Sequence, residues 1–204
     1  IASCPTSRKA QRFLINVAVA FMPLAILGLL FHKTIKAHLF NPISVATAFI
    51  VGALFIFWAE KRAHRVRVPS VDDMTIKDAL MLGCIQAFAL IPGTSRSGAT
   101  IIGGLLMGLS RKAATEFSFF LAIPTLGVAT IYQVYKEWST IQNTDLSMWA
   151  VGFVSAFISA FLCIRWLLRY ITTHNFMIFA WYRIIFGLIV LVTAYTGMVS
   201  WSAH

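Results

Sequence analysis

Residues 79–109 read ALMLGCIQAFALIPGTSRSGATIIGGLLMGL, two apolar runs parted by the polar turn Ile91-Pro92-Gly93-Thr94-Ser95-Arg96-Ser97-Gly98-Ala99-Thr100. The runs Ala79–Ile91 and Ala99–Leu109 are each about 11 to 13 residues long, roughly 17 to 20 Å as helices. A hydrocarbon core of about 30 Å needs close to 20 residues, so neither run can cross it. The expected form is a re-entrant helical hairpin over about residues 76–110, entering and leaving on one side with its tip near mid-membrane. Non-helical backbone at that depth is tolerated only where protein or a water-filled cavity surrounds it. An arginine there marks a functional site.

The rest of the chain supports a membrane setting. Its 204 residues are 59% hydrophobic and 12% charged, against about 25% charged in ordinary soluble domains. Mean hydropathy is +0.80. Apolar stretches long enough to span recur from Phe13 to Phe31, Pro42 to Ala59, Phe117 to Tyr135, Leu146 to Ile164 and Ile184 to Trp201. The expected fold is therefore all-α, a polytopic transmembrane helical bundle forming a single transmembrane domain over 1–204 with no low-complexity linker. The chain opens at Ile1 with no Met and no signal-peptide pattern, which reads as N-terminally incomplete. Cys4, Cys84 and Cys163 are scattered and odd in number, pointing to small hydrophobes and not to a disulfide framework or a zinc site. Gly152, Ala156 and Ala160 form a small-residue stripe that predicts close helix contact.

The formal charge of +10 does not imply nucleic acid, because the basic residues sit at the ends of apolar spans. Placing the clusters at 8–12, 61–67, 111–112 and 165–169 with Lys77 in the cytoplasm leaves Lys33, Lys36 and Lys136 outside, as the positive-inside rule requires. Arg96 and Arg183 remain within embedded sequence. Arg183, in Trp181-Tyr182-Arg183, reads as an interfacial anchor that snorkels.

Pro92 and Gly93 end one half-helix, and a second begins near Gly98-Ala99-Thr100 with its free N–H groups facing the same space as Thr94, Ser95 and Ser97. An oxyanion fits such a place. Arg96 adds a planar fork able to hold two phosphate oxygens. The competing reading is that Ser95 or Ser97 merely caps the helix and Arg96 pairs with Glu116; a cap needs one hydroxyl, and residues 94–100 supply four. Glu116, near a helix start that Ser110 could cap, could also pair with Arg111 or Lys112. One acid does not make a metal site.

PGTSRSGAT, preceded by Gly83, Gln86 and Ala87 and followed by GGLLMGLSRKAATEFSFFLAIP, resembles the second signature region of the bacterial undecaprenyl pyrophosphate phosphatase family, associated with bacitracin resistance. The likeness runs from about Arg8 through FWAEKRAH to the C-terminal spans. The resemblance implies an inverted-repeat membrane fold in which a hairpin from each half meets near mid-membrane, with only the second hairpin in this sequence. It implies hydrolysis of undecaprenyl pyrophosphate to undecaprenyl phosphate and phosphate in the cytoplasmic (inner) membrane, with the site facing the periplasm. Arg96 and Ser95 are then the catalytic residues, and Thr94, Ser97, Gly98, Thr100, Gln86 and Gly93 bind substrate.

The family also carries an acidic motif, a Ser-rich turn and a histidine in an N-terminal quarter that has no counterpart here. Gln86 stands as an uncharged counterpart of that motif. A divalent cation, Mg or Ca, is implied with its ligands mostly outside this sequence, so no metal ligand is assigned within it. These residues alone are expected to show little turnover. The expected partners are a polyprenyl pyrophosphate lipid and the membrane, with a homo-oligomer among the candidate assemblies. His32, His38, His64, His174 and His204 read as interfacial. The alternative functions are a polyprenyl-phosphate transporter or flippase without hydrolysis and, more weakly, a non-catalytic assembly subunit.

Overall fold

The computed structural model describes residues 8–62, 65–138, 146–171 and 173–197. Cys4, His64, Asp145, His204, the Trp201 end of the last expected span and the side chains of His32 and Lys36 lie outside that description.

Seven helices of eleven residues or more are described: α1 (Arg8–Leu39), α2 (Pro42–Lys61), α3 (Ile76–Ala87), α4 (Arg96–Leu106), α5 (Arg111–Lys136), α6 (Leu146–Tyr170) and α7 (Met177–Thr196). Five segments are long and apolar enough to cross a membrane: Arg8–Phe31, Pro42–Lys61, Arg111–Lys136, Ser147–Tyr170 and Met177–Thr196. They answer to the five stretches read from sequence. The last span begins at Met177 and not at Ile184, because Arg183 lies inside the helix with its charge satisfied by protein. The chain is thus a multi-pass, all-α membrane protein in which α3 and α4, at 12 and 11 residues, form the short arms of a hairpin.

Local chemistry explains where the helices begin. Asn41 caps α2 by accepting from the Ser44 N–H at 2.7 Å, with Pro42 at the first helical position. Thr75 and Asp78 form a reciprocal capping box at the start of α3. Ser110 starts α5 by accepting from Ala113 N at 3.1 Å.

Large apolar side chains such as Leu29, Phe153 and Ile131 face outward, and an interior built on Met74, Leu82, Phe117 and Leu121 also takes in Asn16, Gln86, Thr100, Ser118 and Arg183. Helices in lipid gain little from burying apolar surface against one another, so small residues and interhelical hydrogen bonds organise the contacts. α2 lies along α7, where Gly187 lets the chain approach the Ala46 carbonyl and Ile50. α1 lies along α3, where Gly83 rests on the backbone of Ala20. At the base of that pair Arg12 and Asn16 each donate to the Met74 carbonyl at 3.0 Å. The second arm of the hairpin, α4, joins these pairs, touching α3, α5 and α2.

Ion pairs and backbone bonds tie the hairpin's base. Arg67 binds Asp78, and Arg111 holds both oxygens of Glu60 at 2.6 and 2.5 Å while Phe176 N donates to Glu60 at 2.8 Å. The amides of Arg67 and Val68 donate to the Gly108 carbonyl, and Ser110 N returns a bond to Val68. The Gly152, Ala156, Ala160 stripe is exposed among the described residues: a Cβ at Gly152 would face open space, and α6 is exposed from Ser147 to Trp166. Small residues permit close approach but do not supply the partner.

Candidate active site

The tip of the hairpin is made by residues that cannot continue a helix. After α3 a single 3-10 turn, Phe88–Leu90, leads to an extended Ile91 (φ −73, ψ 119), the conformation favoured before proline. Thr94 N donates back to the Ile91 carbonyl at 3.0 Å, closing a turn around Pro92 and Gly93. Gly93 has φ +89, and a Cβ there would collide with the backbone of Val45 on α2. Only glycine serves this position without strain.

Ser95 then caps α4, its Oγ accepting from Gly98 N at 3.1 Å and its carbonyl accepting from Ala99 N at 2.8 Å. The helix thus starts at Arg96, two residues before the start expected from Gly98. The shift brings different groups forward. The N–H groups of Arg96 and Ser97 make no hydrogen bond to a described residue, whereas that of Gly98 is taken by the cap. Two free donors at the positive end of a helix constitute an anion-binding element.

The side chains add to it. Thr94, Ser95, Arg96 and Ser97 are all half-buried, and the Ser95 and Ser97 hydroxyl oxygens lie 3.3 Å apart. Arg96 reaches the Ser118 carbonyl at 3.5 Å, too long for a good N–H···O bond. It has no carboxylate partner among the described residues, and Glu116 instead lies 3.9 Å from Lys112 one turn back. The structure therefore brings the Ser95 and Ser97 hydroxyls together at the start of α4, between Thr94 at the end of the turn and the Arg96 side chain, which reaches toward α5.

Three further candidates take places behind the turn. Thr100 is fully buried; its hydroxyl lies 2.6 Å from Ser118 Oγ and within reach of the Arg96 and Ser97 carbonyls, so it braces the first turn of α4. The Gly93 carbonyl accepts from Arg183 and its Cα rests on α2. Gln86 is fully buried, and neither its Oε1 nor its Nε2 has a described partner.

Arg183 corrects the sequence reading. It is no interfacial anchor: at 8% exposure it donates to the carbonyls of Ala48 (3.0 Å), Phe49 (3.2 Å) and Gly93 (3.2 Å). A charge among apolar neighbours seven residues into a span was the available signal, since such residues are functional by default. Ser118 was missed as well. It is 1% exposed and serves both Thr100 and Arg96, but a lone serine in an apolar helix carries no sequence signal.

Among the described residues no three His, Cys, Asp or Glu side chains converge as a ready-made metal site. An apolar groove runs between α1 and the hairpin, lined by Leu27, Phe31, Ile35, Cys84, Phe88 and Ile91, and ends beside the tip.

A family model described as "Bacitracin resistance protein BacA" matches residues 2–189. The chain belongs to this family. Curated BacA-like relatives are similar along nearly its whole length. An "Undecaprenyl-diphosphatase" of Dechloromonas aromatica is 69% identical over 194 residues, covering 95% of this chain and 71% of that one. Proteins of the same name from Nitrosomonas europaea and Acidovorax ebreus are 62% and 58% identical, each covered over 72% and 74% of its length.

Proposed function

We propose that this BacA-family chain is part of an undecaprenyl-diphosphatase of the bacterial cytoplasmic membrane, hydrolysing undecaprenyl pyrophosphate to undecaprenyl phosphate and inorganic phosphate. The reaction recycles the lipid carrier for cell-wall synthesis, and the site opens toward the periplasm. The observation that carries this reading is the tip of the hairpin: an arginine without a carboxylate partner, two free helix N–H groups and three hydroxyls on four consecutive residues.

Hydrolysis of a phosphoanhydride joins a water oxygen to the terminal phosphorus as the bridging P–O bond breaks and the lipid phosphate leaves. Charge shifts to the outer and bridging oxygens. Fixed donors aimed at that charge stabilise the transition state without having to reorganise. Arg96 holds two phosphate oxygens in the plane of its fork. The N–H groups of Arg96 and Ser97 and the hydroxyls of Thr94, Ser95 and Ser97 supply the remaining hydrogen bonds. Ser95 has a double part: its oxygen is the helix cap, and its hydroxyl shares one hydrogen bond with Ser97, so one of the two hydroxyl hydrogens is left for the substrate. The prenyl chain lies in the apolar groove beside Ile91. A divalent cation that serves the reaction would take its ligands mostly from outside this sequence.

The test is phosphate release from undecaprenyl pyrophosphate by the full-length protein in proteoliposomes, with and without Mg²⁺ or Ca²⁺. Release that Arg96→Ala abolishes supports the reading. Binding or transbilayer movement of the lipid with no phosphate released would replace it with the transporter reading.

A further inference from the structure

The turn that carries Thr94 to Ser97 is gripped from behind. Arg183 Nη2 donates to Gly93 O and Ala48 O, Nε donates to Phe49 O, and the guanidinium lies 4.7 Å from the centre of the Phe49 ring. One side chain of α7 thereby joins a strip of α2 backbone to the turn. Gly52, one helical turn beyond Ala48, leaves room for it: a Cβ there would stand 2.5 Å from Nη2.

The Gly93–Thr94 peptide group is held at both edges, its carbonyl by Arg183 and its N–H by the Ile91 carbonyl. That plane sets the direction in which the chain leaves the turn, and hence the placing of the Thr94 hydroxyl, the Ser95 cap and the Arg96 fork. For stability alone a buried guanidinium with no carboxylate among the described residues is a poor choice, since well-packed apolar residues commonly do as well or better. Catalysis gives the charge a use. Groups that act on a transition state must be held to within about 0.5 Å by a supporting layer of bonds.

From this geometry we infer that Arg183 is a positioning residue of the phosphatase site, fixing the Gly93–Thr94 peptide plane so that Arg96 and its neighbouring donors meet the substrate's phosphates. The kinetic part of this inference rests on the proposed hydrolysis; the grip on the turn does not.

The experiment uses the full-length protein, comparing wild type with Arg183→Ala, Arg183→Lys, Gly52→Ala, Arg96→Ala and the Arg96→Ala/Arg183→Ala double variant. Phosphate release gives kcat and KM, and hydrogen exchange of peptides covering residues 94–99 reports the turn. Arg183→Ala should lower kcat about a hundredfold, the scale of a 1 Å misplacement, with little change in KM. Arg183→Lys should recover only part of this, because an ammonium cannot reach three carbonyls from one plane. Gly52→Ala, which displaces the guanidinium without deleting it, should show a smaller loss of the same kind. In the double variant the loss due to Arg183→Ala should largely vanish, since its effect passes through the group already removed.

Exchange at 94–99 should quicken in Arg183→Ala while peptides of α1 stay as in wild type. Unchanged exchange at the turn would overturn the inference whatever the activities. So would losses that simply multiply in the double variant, or a fall in kcat matched by general unfolding. A wild type that releases no phosphate would sink the phosphatase reading alone, leaving the exchange measurement to decide the grip.

Discussion

Replacing Arg96 by lysine keeps the charge and removes the fork, which separates electrostatic attraction from planar recognition. Among the described residues the Arg96 side chain has one hydrogen-bond contact, to the Ser118 carbonyl at 3.5 Å, and α4 takes its cap from Ser95. The variant should therefore fold with close to native stability. Losing a preorganised donor to transition-state charge typically costs about 2.7 to 4 kcal/mol, or roughly a hundred- to a thousandfold in kcat. Arg96→Lys should suffer most of that loss, nearly matching Arg96→Ala, since one mobile ammonium cannot hold two oxygens in a fixed plane. Ser97→Ala should cost much less, because Ser95 Oγ lies only 3.3 Å from the hydroxyl removed and water can fill the gap. The assay is steady-state phosphate release by the full-length protein in proteoliposomes, with unfolding midpoints measured alongside. A lysine variant with near-normal kcat and KM would refute the bidentate clamp.

Three other outcomes are expected. Glu60→Ala strands the Arg111 guanidinium and the Phe176 N–H and should cost about 3 kcal/mol, the lower end for breaking a buried pair, because Arg111 remains partly hydrated; a denaturation midpoint in mixed micelles that barely moved would contradict it. Gly93→Ala should destabilise by about 1 to 3 kcal/mol from its positive φ alone, with the Val45 collision in addition. Gly197→Ala, also at positive φ but in open space, should be the milder in the same measurement. Burial pushes the Asp78 carboxyl up, but its bonds to Arg67 and Thr75 outweigh this and hold it below the usual carboxylate range. Its stabilising contribution is therefore present above about pH 4, the unfolded value, and is lost as pH falls through the lower folded value. Unfolding midpoints taken from pH 6 to 3 should fall at the acid end, and Asp78→Asn should flatten that fall.

The spans and the hairpin were legible because they rest on local properties. Apolar runs declare their length, and Pro92-Gly93 declares a break. The polar turn was legible for a similar reason: Thr94, Ser95, Arg96 and Ser97 are consecutive, so their nearness along the chain needs no knowledge of the fold. What failed to show was everything that depends on distant partners. Arg183 bonds to carbonyls 90 to 135 positions away, and carbonyls leave no mark in a sequence. Beside Trp181 and Tyr182 it looked like an interfacial residue, and only the packing of α7 on α2 shows otherwise. Glu60 stands at the end of a span, and nothing local shows that its partners Arg111 and Phe176 come from two other parts of the chain. The start of α4 was misplaced by two residues because a serine cap and a serine ligand look alike until the geometry of Ser95 is known.

The grip of Arg183 on Gly93 also bears on the order in which the chain is built. A ribosome delivers the turn at 93–97 to the membrane some 90 residues before it delivers the arginine that holds it, while α2, the surface both lean on, is already in place. Until α7 arrives beside α2, the Gly93 carbonyl lacks its donor and Gly52 faces an empty space. The bond that holds the turn thus waits for the final described helix. A nascent chain that stops short of residue 183 carries every residue of the hairpin but not the side chain that donates to the Gly93 carbonyl.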